Sequence, residues 1–302
     1  MIQLELDPWL EGYLAYLRDV RRLNDRTVID CRCTFKKVSA FMSEARPDKP
    51  LYKLDLNDYL YWLNVQRDQG RSEATIAKDL SHLRGLLDYA WRSGRSDRNV
   101  LDGFRIKDNV SRKEPRSLTL EEAKRLVEAC PRSTTMERRS RIVVLLLYGC
   151  GLRPFELCNL NVNDVDVARQ EIFVRKGKGG LQRSIPVPSA VWTELLAYLI
   201  ERGGKRGPLF KTLIKKKRLS VRDVGTIVKE AATRASIEGK ITPRTLRHTF
   251  GTHLMDAGVD LAVIASLMGH RSPAETGVYL HVLPGKREAA VDALANKKED
   301  ER

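Results

Sequence analysis

The 302-residue sequence lacks long hydrophobic runs: no stretch approaches the roughly 20 consecutive apolar residues that cross a bilayer. Its first ten residues do not join a basic segment to an apolar one, so we expect no secretory signal. Cysteine is scarce, and its five positions have no metal-ligand spacing. Cys31 and Cys33 would point to different faces of a predicted helix. These absences predict a reduced, cytoplasmic protein without membrane association.

Acidic residues form no cluster and are outnumbered, at 39 against 54 Lys and Arg, which gives a net charge of +15. The sequence therefore offers no Mg²⁺ site, which argues against metal-dependent nucleases and DDE-type transposases. We expect neither a metal nor a cofactor. The positive charge, with a pI near 9.7, favours a polyanionic partner. Ribosomal and RNA-binding proteins share this signature, so charge alone indicates only nucleic acid.

The basic residues are spread along the chain, apart from local runs such as residues 215–218 (KKKR). This distribution is typical of a protein that surrounds a duplex rather than of a globule with one basic tail. No strongly amphipathic terminal helix accompanies the charge, which disfavours binding to a membrane surface.

Residues 1–105 predict a wholly helical domain. We expect helices that begin at Pro8, near Asn24, after Asn57 and at Ser72. The last of these is the clearest, because its apolar residues recur at four-three-four-three spacing: Ile76, Leu80, Leu83, Leu87 and Ala90. Ser72 is a plausible N-cap and Gly94 a plausible stop.

Residues 106–117 are polar and predict a linker, and residues 118–302 predict a second, mainly helical domain. A capping box at Thr119–Glu122 opens it. Strands Glu171–Arg175 and Arg183–Val187 flank the turn Gly177–Gly180, which predicts a β-hairpin with a lysine at its tip. Further helices are expected at Ile142–Tyr148, Ser189–Ile200, Val221–Ala235, Thr242–Asp256, Leu261–Met268 and in the tail after Lys286. The fold class is mainly α, with α+β character in the second domain and a small antiparallel sheet.

Several side chains sit where folding alone does not require them. They are Arg153 after the apolar helix, Lys178 in the glycine-rich turn, Arg244 and Arg247 one helical turn apart, His270 after Gly269, and Tyr279. Each has a plainer interpretation: a surface salt bridge, a solvated turn, a simple phosphate contact or packing. For His82, His253 and His281, packing or surface roles are the expectation.

The order of these residues resembles the tyrosine recombinase (phage integrase) family, especially its Xer-like bacterial members. The resemblance lies in residues 149–157 (GCGLRPFEL), 177–183 (GKGGLQR) with 185–187 (IPV), 242–254 (TPRTLRHTFGTHL), 257–260 (AGVD), 267–270 (LMGH) and 278–281 (VYLH). These segments keep the family's order over most of residues 118–282. The helical front also resembles the family's SAM-like core-binding domain, with less diagnostic sequence.

The resemblance implies a metal-independent and ATP-independent strand exchange. Tyr279 would attack phosphorus and leave a 3′-phosphotyrosyl bond, while Lys178 donates a proton to the leaving oxygen. Arg153 and Arg247 would bind the phosphate oxygens through their planar forks. His270 would donate a hydrogen bond to the phosphate. Glu156, in the Arg-x-x-Glu arrangement, would orient rather than react.

Arg244 departs from the pattern, because the family usually has histidine there. Arginine can supply charge and hydrogen bonds but cannot accept a proton at ordinary pH. The related type IB topoisomerases resemble this arrangement, with a lysine in that place. His248 points about 100° around the helix and is a poor substitute.

We therefore expect two domains that close as a clamp around double-stranded DNA. The resemblance implies a synapse of four protomers, as a homotetramer or a paired recombinase, with an accessory or translocase protein as a further candidate partner. The tail helix, Arg287 to Leu294, would dock on a neighbouring protomer or pack on its own domain. Two alternatives remain open: a type IB topoisomerase-like relaxing enzyme, and a DNA-binding protein whose catalysis is impaired by Arg244.

Overall fold

The computed structural model describes residues 6–47, 49–106, 115–175, 182–204, 206–212 and 216–270. The chain divides into two compact units, Met1–Lys113 and Glu114–Arg302. Helices dominate both units, and three short strands in the second form an antiparallel sheet. The predicted fold class is therefore confirmed. The limits 1–105, 106–117 and 118–302 stay predictions, since residues 107–114 lie outside the described ranges.

Within the described ranges, no helix is both long enough and apolar enough to span a membrane. All five cysteines are free thiols. Cys31 is buried and Cys33 is exposed, as the prediction of different helix faces requires.

The first unit contains four described α-helices. They are α1 (Pro8–Asp19), α2 (Asp25–Ala45), α3 (Leu56–Asp68) and α4 (Glu73–Arg92). Each begins at a side-chain cap: in α4 the backbone N–H of Thr75 donates to Ser72 Oγ at 3.3 Å. The Ser72 cap is thus confirmed. Apolar faces of these helices meet in one core, in which Phe35, Trp62 and Leu83 are fully buried.

The second unit contains seven described α-helices and the sheet. The helices are α5 (Leu120–Glu128), α6 (Thr135–Gly149), α7 (Pro154–Asn159), α8 (Ser189–Arg202), α9 (Val221–Arg234), α10 (Pro243–Asp256) and α11 (Leu261–Met268). The strands are β1 (Val165–Asp166), β2 (Glu171–Val174) and β3 (Arg183–Pro186). The predicted capping box of α5 is present, with reciprocal bonds between Thr119 and Glu122.

Strand pairing confirms the predicted hairpin strands, although the turn itself is not described. β2 pairs antiparallel with β3, placing Ile172 opposite Ile185 and Val174 opposite Arg183. Ile172, Val174 and Ile185 are buried and face the core, whereas Ser184 is exposed. The period-two alternation of a half-buried strand therefore directs one face of the hairpin inward.

α6 is the central helix of the second unit and packs against α7, α8, α9 and α10. Every residue from 142 to 147 is buried, which explains the continuous apolar run in the sequence. The helix begins seven residues before the predicted start, because a capping box at Thr134 and Glu137 initiates it in a polar stretch. The first turns of α6, residues 135–140, are exposed or half-buried, so they show no periodic apolar face from which the start could be predicted.

Gly151, just after α6, occupies a conformation that other residues rarely adopt, with φ +58°. A β-carbon built there would lie 2.3 Å from Cδ1 of Phe250, which packs in a small cluster with residues of α10 and α11. The ring of Phe250 therefore lies directly against the glycine backbone. This close approach fixes the turn that leads from α6 into Arg153 and α7.

We expect Gly151→Ala to lower the free energy of unfolding by about 2–4 kcal/mol, since it adds both left-handed strain and a steric clash. Chemical denaturation followed by circular dichroism would measure the loss. Gly225→Ala in α9 is the matched control, because nothing lies within 4 Å of its β-position and its φ is not positive. The control should be neutral or slightly stabilising. Equal unfolding midpoints for the two variants would contradict the packing argument.

Candidate active site

The end of α11 is the point at which several predicted site residues meet. Gly269 caps the helix in the left-handed conformation, as predicted, and its N–H donates to Ser266 O at 3.0 Å. The N–H of His270 donates to Ala265 O at 3.0 Å. This pair of bonds turns the chain sharply and places His270 directly beside the carbonyl end of the helix.

Arg153 and Arg247 converge on that carbonyl end from two different helices. Arg247, on α10, donates from Nη2 to Met268 O at 2.7 Å and from Nη1 to Gly151 O at 2.5 Å. Arg153, the residue before α7, donates from Nη1 to Met268 O at 3.2 Å and from Nη2 to Gly269 O at 2.9 Å. One carbonyl oxygen therefore holds both guanidinium groups. Two arginines separated by 94 positions in sequence form a single cationic cluster.

A buried carboxylate stabilises this cluster. Glu156, whose side chain is 1% exposed, accepts from the backbone N–H of Arg153 at 2.9 Å and from Arg153 Nη1 at 3.0 Å. It also accepts from both ends of the Arg183 fork, at 3.0 and 2.8 Å. Four N–H groups thus surround one carboxylate. Glu156 orients Arg153, which is the role expected from the Arg-x-x-Glu spacing.

The titration of Glu156 reflects its neighbours. Burial alone would raise its pKa, but hydrogen bonds and charge from Arg183, and then from Arg153, hold the pKa below its ordinary value. Glu156 is therefore ionised at neutral pH. The negative end of the α11 dipole adds a further attraction for the three guanidinium groups.

Arg244 and Arg247 lie on the same helix but in different environments. Arg247 is 7% exposed, whereas Arg244, in the first turn of α10, is exposed. Within the described ranges Arg244 makes no hydrogen bond or ion pair. His248 is 6% exposed and so lies in the interior, away from the exposed surface that Arg244 occupies. That His248 is a poor substitute for a residue at position 244 stays a prediction, since Arg247 in the site is as deeply buried as His248.

Two predicted site residues cannot be placed. Lys178 and Tyr279 lie outside the described residues, as do His281 and the predicted tail helix from Arg287 to Leu294. The structure therefore brings together Arg153, Arg247 and His270 near one helix end. Arg244 lies on the same helix as Arg247.

Arg183, which ends the glycine-rich hairpin segment, was not among the predicted site residues. Its fork binds Glu156, and its Nε donates to Leu267 O at 2.8 Å. A charged residue at an inward-facing strand position, opposite the buried Val174, was the available signal. Two other histidines have structural contacts, as predicted: His82 Nδ1 lies 2.9 Å from Thr34 Oγ1, and His253 Nδ1 lies 2.9 Å from Tyr148 Oη.

The site can bind an anion through the N–H groups of its preorganised arginine side chains. Guanidinium forks bind phosphate or carboxylate with fixed geometry, and a carbonyl-lined helix end keeps them in position. In the described part of the chain, no three His, Cys, Asp or Glu side chains are grouped so that they could hold a metal ion. The described arginine and histidine side chains supply positive charge and hydrogen bonds to such an anion.

Comparisons with known proteins cover both units. Residues 116–286 match the family model described as the phage integrase family, and residues 10–94 match the phage integrase N-terminal SAM-like domain. Over 285 residues the chain is 41% identical to tyrosine recombinase XerA of Pyrococcus furiosus, covering 94% of this chain and 92% of that protein.

Solved structures show the same fold at lower sequence identity. The Tn1549 transposon integrase in complex with transposon right-end DNA matches with a TM-score of 0.74 at 20% identity, over 95% of this chain and 99% of that one. A lambda integrase tetramer bound to a Holliday junction matches with a TM-score of 0.72 at 20% identity, over 90% of this chain and 76% of that one. The fold and the family model therefore agree.

Proposed function

The chain belongs to the phage integrase family, and from this premise we propose that it is a site-specific tyrosine recombinase that cuts and rejoins DNA through a covalent link to Tyr279. The family match covers more than half of the chain, and relatives such as the Pyrococcus protein are named tyrosine recombinases. The observation that carries the proposal is the convergence of Arg153 and Arg247 on one carbonyl oxygen beside His270.

In the proposed reaction, the Tyr279 phenol releases its proton to solvent as its oxygen attacks the scissile phosphorus, and the bond from phosphorus to the 5′ oxygen breaks. Lys178 gives a proton to that leaving oxygen, so a free 5′ hydroxyl results. Arg153, Arg247, Arg244 and His270 stabilise the charge on the non-bridging oxygens. Rejoining reverses these steps with a 5′ hydroxyl from another strand. Because the phosphotyrosyl bond conserves the bond energy, no ATP is consumed.

The partner is DNA, and the working form is multimeric. The two structural neighbours are recorded on DNA, one of them as a tetramer on a Holliday junction. Together with the net charge of +15, these likenesses support binding to double-stranded DNA. We extend this to a tetramer on two sites, built from this chain alone or paired with a second recombinase. A cytoplasmic location and an accessory or translocase protein belong to the same proposal.

The two alternative functions receive no support from these comparisons. A relaxing enzyme of the type IB topoisomerase kind shares the chemistry, but the relatives and structures described above are recombinases and integrases. A DNA-binding protein without catalysis would need Arg244 to have disabled the site. Arg244 is exposed and leaves the cluster around Met268 intact.

Covalent capture tests the proposal directly. The protein is incubated with sheared genomic DNA of its source organism and denatured without protease, and protein-linked DNA is recovered and sequenced. Adducts concentrated at a few sites support the proposed function and identify the target. Wild-type protein that binds DNA but forms no adduct at any site would contradict it.

Arg244 provides a separate prediction. If position 244 supplies charge rather than a base, Arg244→His should form adducts within about tenfold of wild type at pH 7, because both side chains can donate to phosphate. Arg244→Ala should form them on the order of 10²-fold more slowly, as expected for one lost donor. Single-turnover cleavage of a nicked duplex would measure both. Adducts from Arg244→His but none from wild type would mean that the arginine blocks catalysis.

A further inference from the structure

Arg183 is more buried and makes more side-chain hydrogen bonds than its place at the start of an edge strand requires. It opens β3, yet its side chain is only 10% exposed. Its three nitrogens are all engaged, with Nη1 and Nη2 on Glu156 and Nε on Leu267 O. An arginine at a solvent-facing strand position would keep its hydration. The burial of Arg183 is compensated by these hydrogen bonds instead.

Its guanidinium also lies against the residue that precedes His270. A β-carbon built at Gly269 would be 2.7 Å from Nη1 and 3.0 Å from Cζ of Arg183. The helix end and the guanidinium thus fit together only because position 269 is glycine. Arg183 contacts the last turn of α11 both through a carbonyl and through this packing.

The charges explain why a second arginine is needed on Glu156. Alone, Arg153 and Glu156 would form a neutral pair, and the carboxylate would cancel much of the attraction of Arg153 for phosphate. Arg183 takes both Glu156 oxygens in a bidentate fork, while the Arg153 side chain takes one. The three side chains together carry one net positive charge. An ionised carboxylate can then orient Arg153 without neutralising the site.

We propose that Arg183 is a positioning residue for the strand-cleavage reaction: it offsets the charge of Glu156 and fixes the end of α11, so that Glu156 orients Arg153 toward the scissile phosphate without cancelling its attraction for it. This inference rests on the proposed recombinase function. In this proposal Arg183 acts on the reacting phosphate indirectly. Its effect is transmitted by Glu156 to Arg153, and by the end of α11 to the backbone just before His270.

The first test is a double-mutant cycle on a nicked duplex that carries the site recovered by covalent capture. Arg183→Gln leaves a buried carboxylate opposed by Arg153 alone, and should slow single-turnover cleavage on the order of 10²-fold. Adding Glu156→Gln removes that excess negative charge and should restore cleavage at least tenfold over Arg183→Gln. A double variant no faster than Arg183→Gln would overturn the proposal, because a purely structural role predicts additive or greater loss.

The second test changes the charge of the substrate. A methylphosphonate at the scissile position lacks one non-bridging oxygen charge, so it depends less on Arg153. Relative to wild type, Arg183→Gln should therefore lose at least tenfold less rate on methylphosphonate than on phosphodiester. Equal losses on the two substrates would overturn the proposal, since damage to the fold cannot distinguish them.

Arg141→Gln is the matched control for stability. Arg141 is itself buried and also forms a bidentate pair, with the partly exposed Glu194 at 2.5 and 2.7 Å. It also donates to a backbone carbonyl, that of Val127. Arg141→Gln should lower the unfolding midpoint about as much as Arg183→Gln does. Its ratio of cleavage rates on methylphosphonate and phosphodiester should equal that of the wild type. Wild-type cleavage by Arg183→Gln would overturn this inference alone, whereas the absence of adducts from wild-type protein would overturn the proposed function.

Discussion

Tyr279→Phe should abolish covalent attachment of the protein to DNA, with a loss of cleavage on the order of 10⁴-fold or more. Phenylalanine has no oxygen to attack phosphorus, and removal of the nucleophile from a catalytic group of residues eliminates nearly all of its rate enhancement. DNA affinity should change by less than about threefold, because the phosphate contacts that dominate binding come from basic side chains. Denaturing gels of labelled nicked duplex would measure adducts, and fluorescence anisotropy at fixed salt would measure affinity.

Tyr148→Phe is the matched control for that experiment. Tyr148 lies half-buried in the second unit, and its hydroxyl contacts His253 Nδ1 at 2.9 Å. Loss of this hydrogen bond should lower the free energy of unfolding by about 1 kcal/mol and leave adduct formation unchanged. If Tyr279→Phe still formed adducts and Tyr148→Phe did not, the nucleophile would have been assigned to the wrong tyrosine.

Arg247→Gln should slow strand cleavage on the order of 10²–10³-fold, as expected for one arranged donor at a transition state. Arg247 is nearly buried, and its fork spans Gly151 O and Met268 O. Glutamine keeps hydrogen-bonding capacity but has no charge and is too short to reach both carbonyls. The loss should appear in the single-turnover rate at saturating protein rather than in DNA affinity, because a transition-state contact is removed.

Arg202→Gln is the control that separates a loss of folding stability from a loss of catalysis. Arg202 at the end of α8 is also anchored on backbone carbonyls, through Nε to Leu209 O at 3.0 Å and Nη2 to Pro208 O at 2.5 Å. We expect Arg202→Gln to unfold at a lower temperature than the wild type. Below its unfolding midpoint it should cleave DNA at the wild-type rate. If Arg202→Gln and Arg247→Gln lost cleavage equally, Arg247 would be structural only.

Helices with caps and periodic apolar faces were predictable from the sequence. The predicted α11 matches the structure at both ends, because Asp260 supplies an N-cap and Gly269 supplies the left-handed residue that stops the helix. α4 likewise begins at Ser72 and carries its buried residues at the predicted spacing. In these segments local chemistry and tertiary packing favour the same structure.

Short elements were missed for a physical reason. α7 has six residues, too few for an apolar period, and it depends on Arg153 and Glu156 bonding across its first turn. β1 has two residues and exists only through its pairing with β2. Elements of this length are stabilised by their neighbours in space, so the sequence around them gives little signal.

For the candidate site, the sequence named three residues that the structure brings together, but it could not predict their geometry. The motif order indicated Arg153, Arg247 and His270, and the Arg-x-x-Glu spacing indicated Glu156. The shared acceptor, however, is a backbone oxygen, that of Met268, and every residue type has one. A contact of this kind leaves no trace in side-chain patterns, and neither does the packing of Arg183 on Gly269.

The attachment of three arginines to the end of α11 has a thermal consequence. A free arginine side chain carries about 2 kcal/mol of rotamer entropy, which must be given up when it is fixed around a phosphate. Here Arg153, Arg183 and Arg247 are immobilised by carbonyls and Glu156, so that entropy is lost when the chain folds. DNA then meets Arg153 and Arg247 already oriented, while Arg183 stays on Glu156 and the end of α11. Catalysis should therefore persist on heating until the second unit melts, and should end with it in one transition.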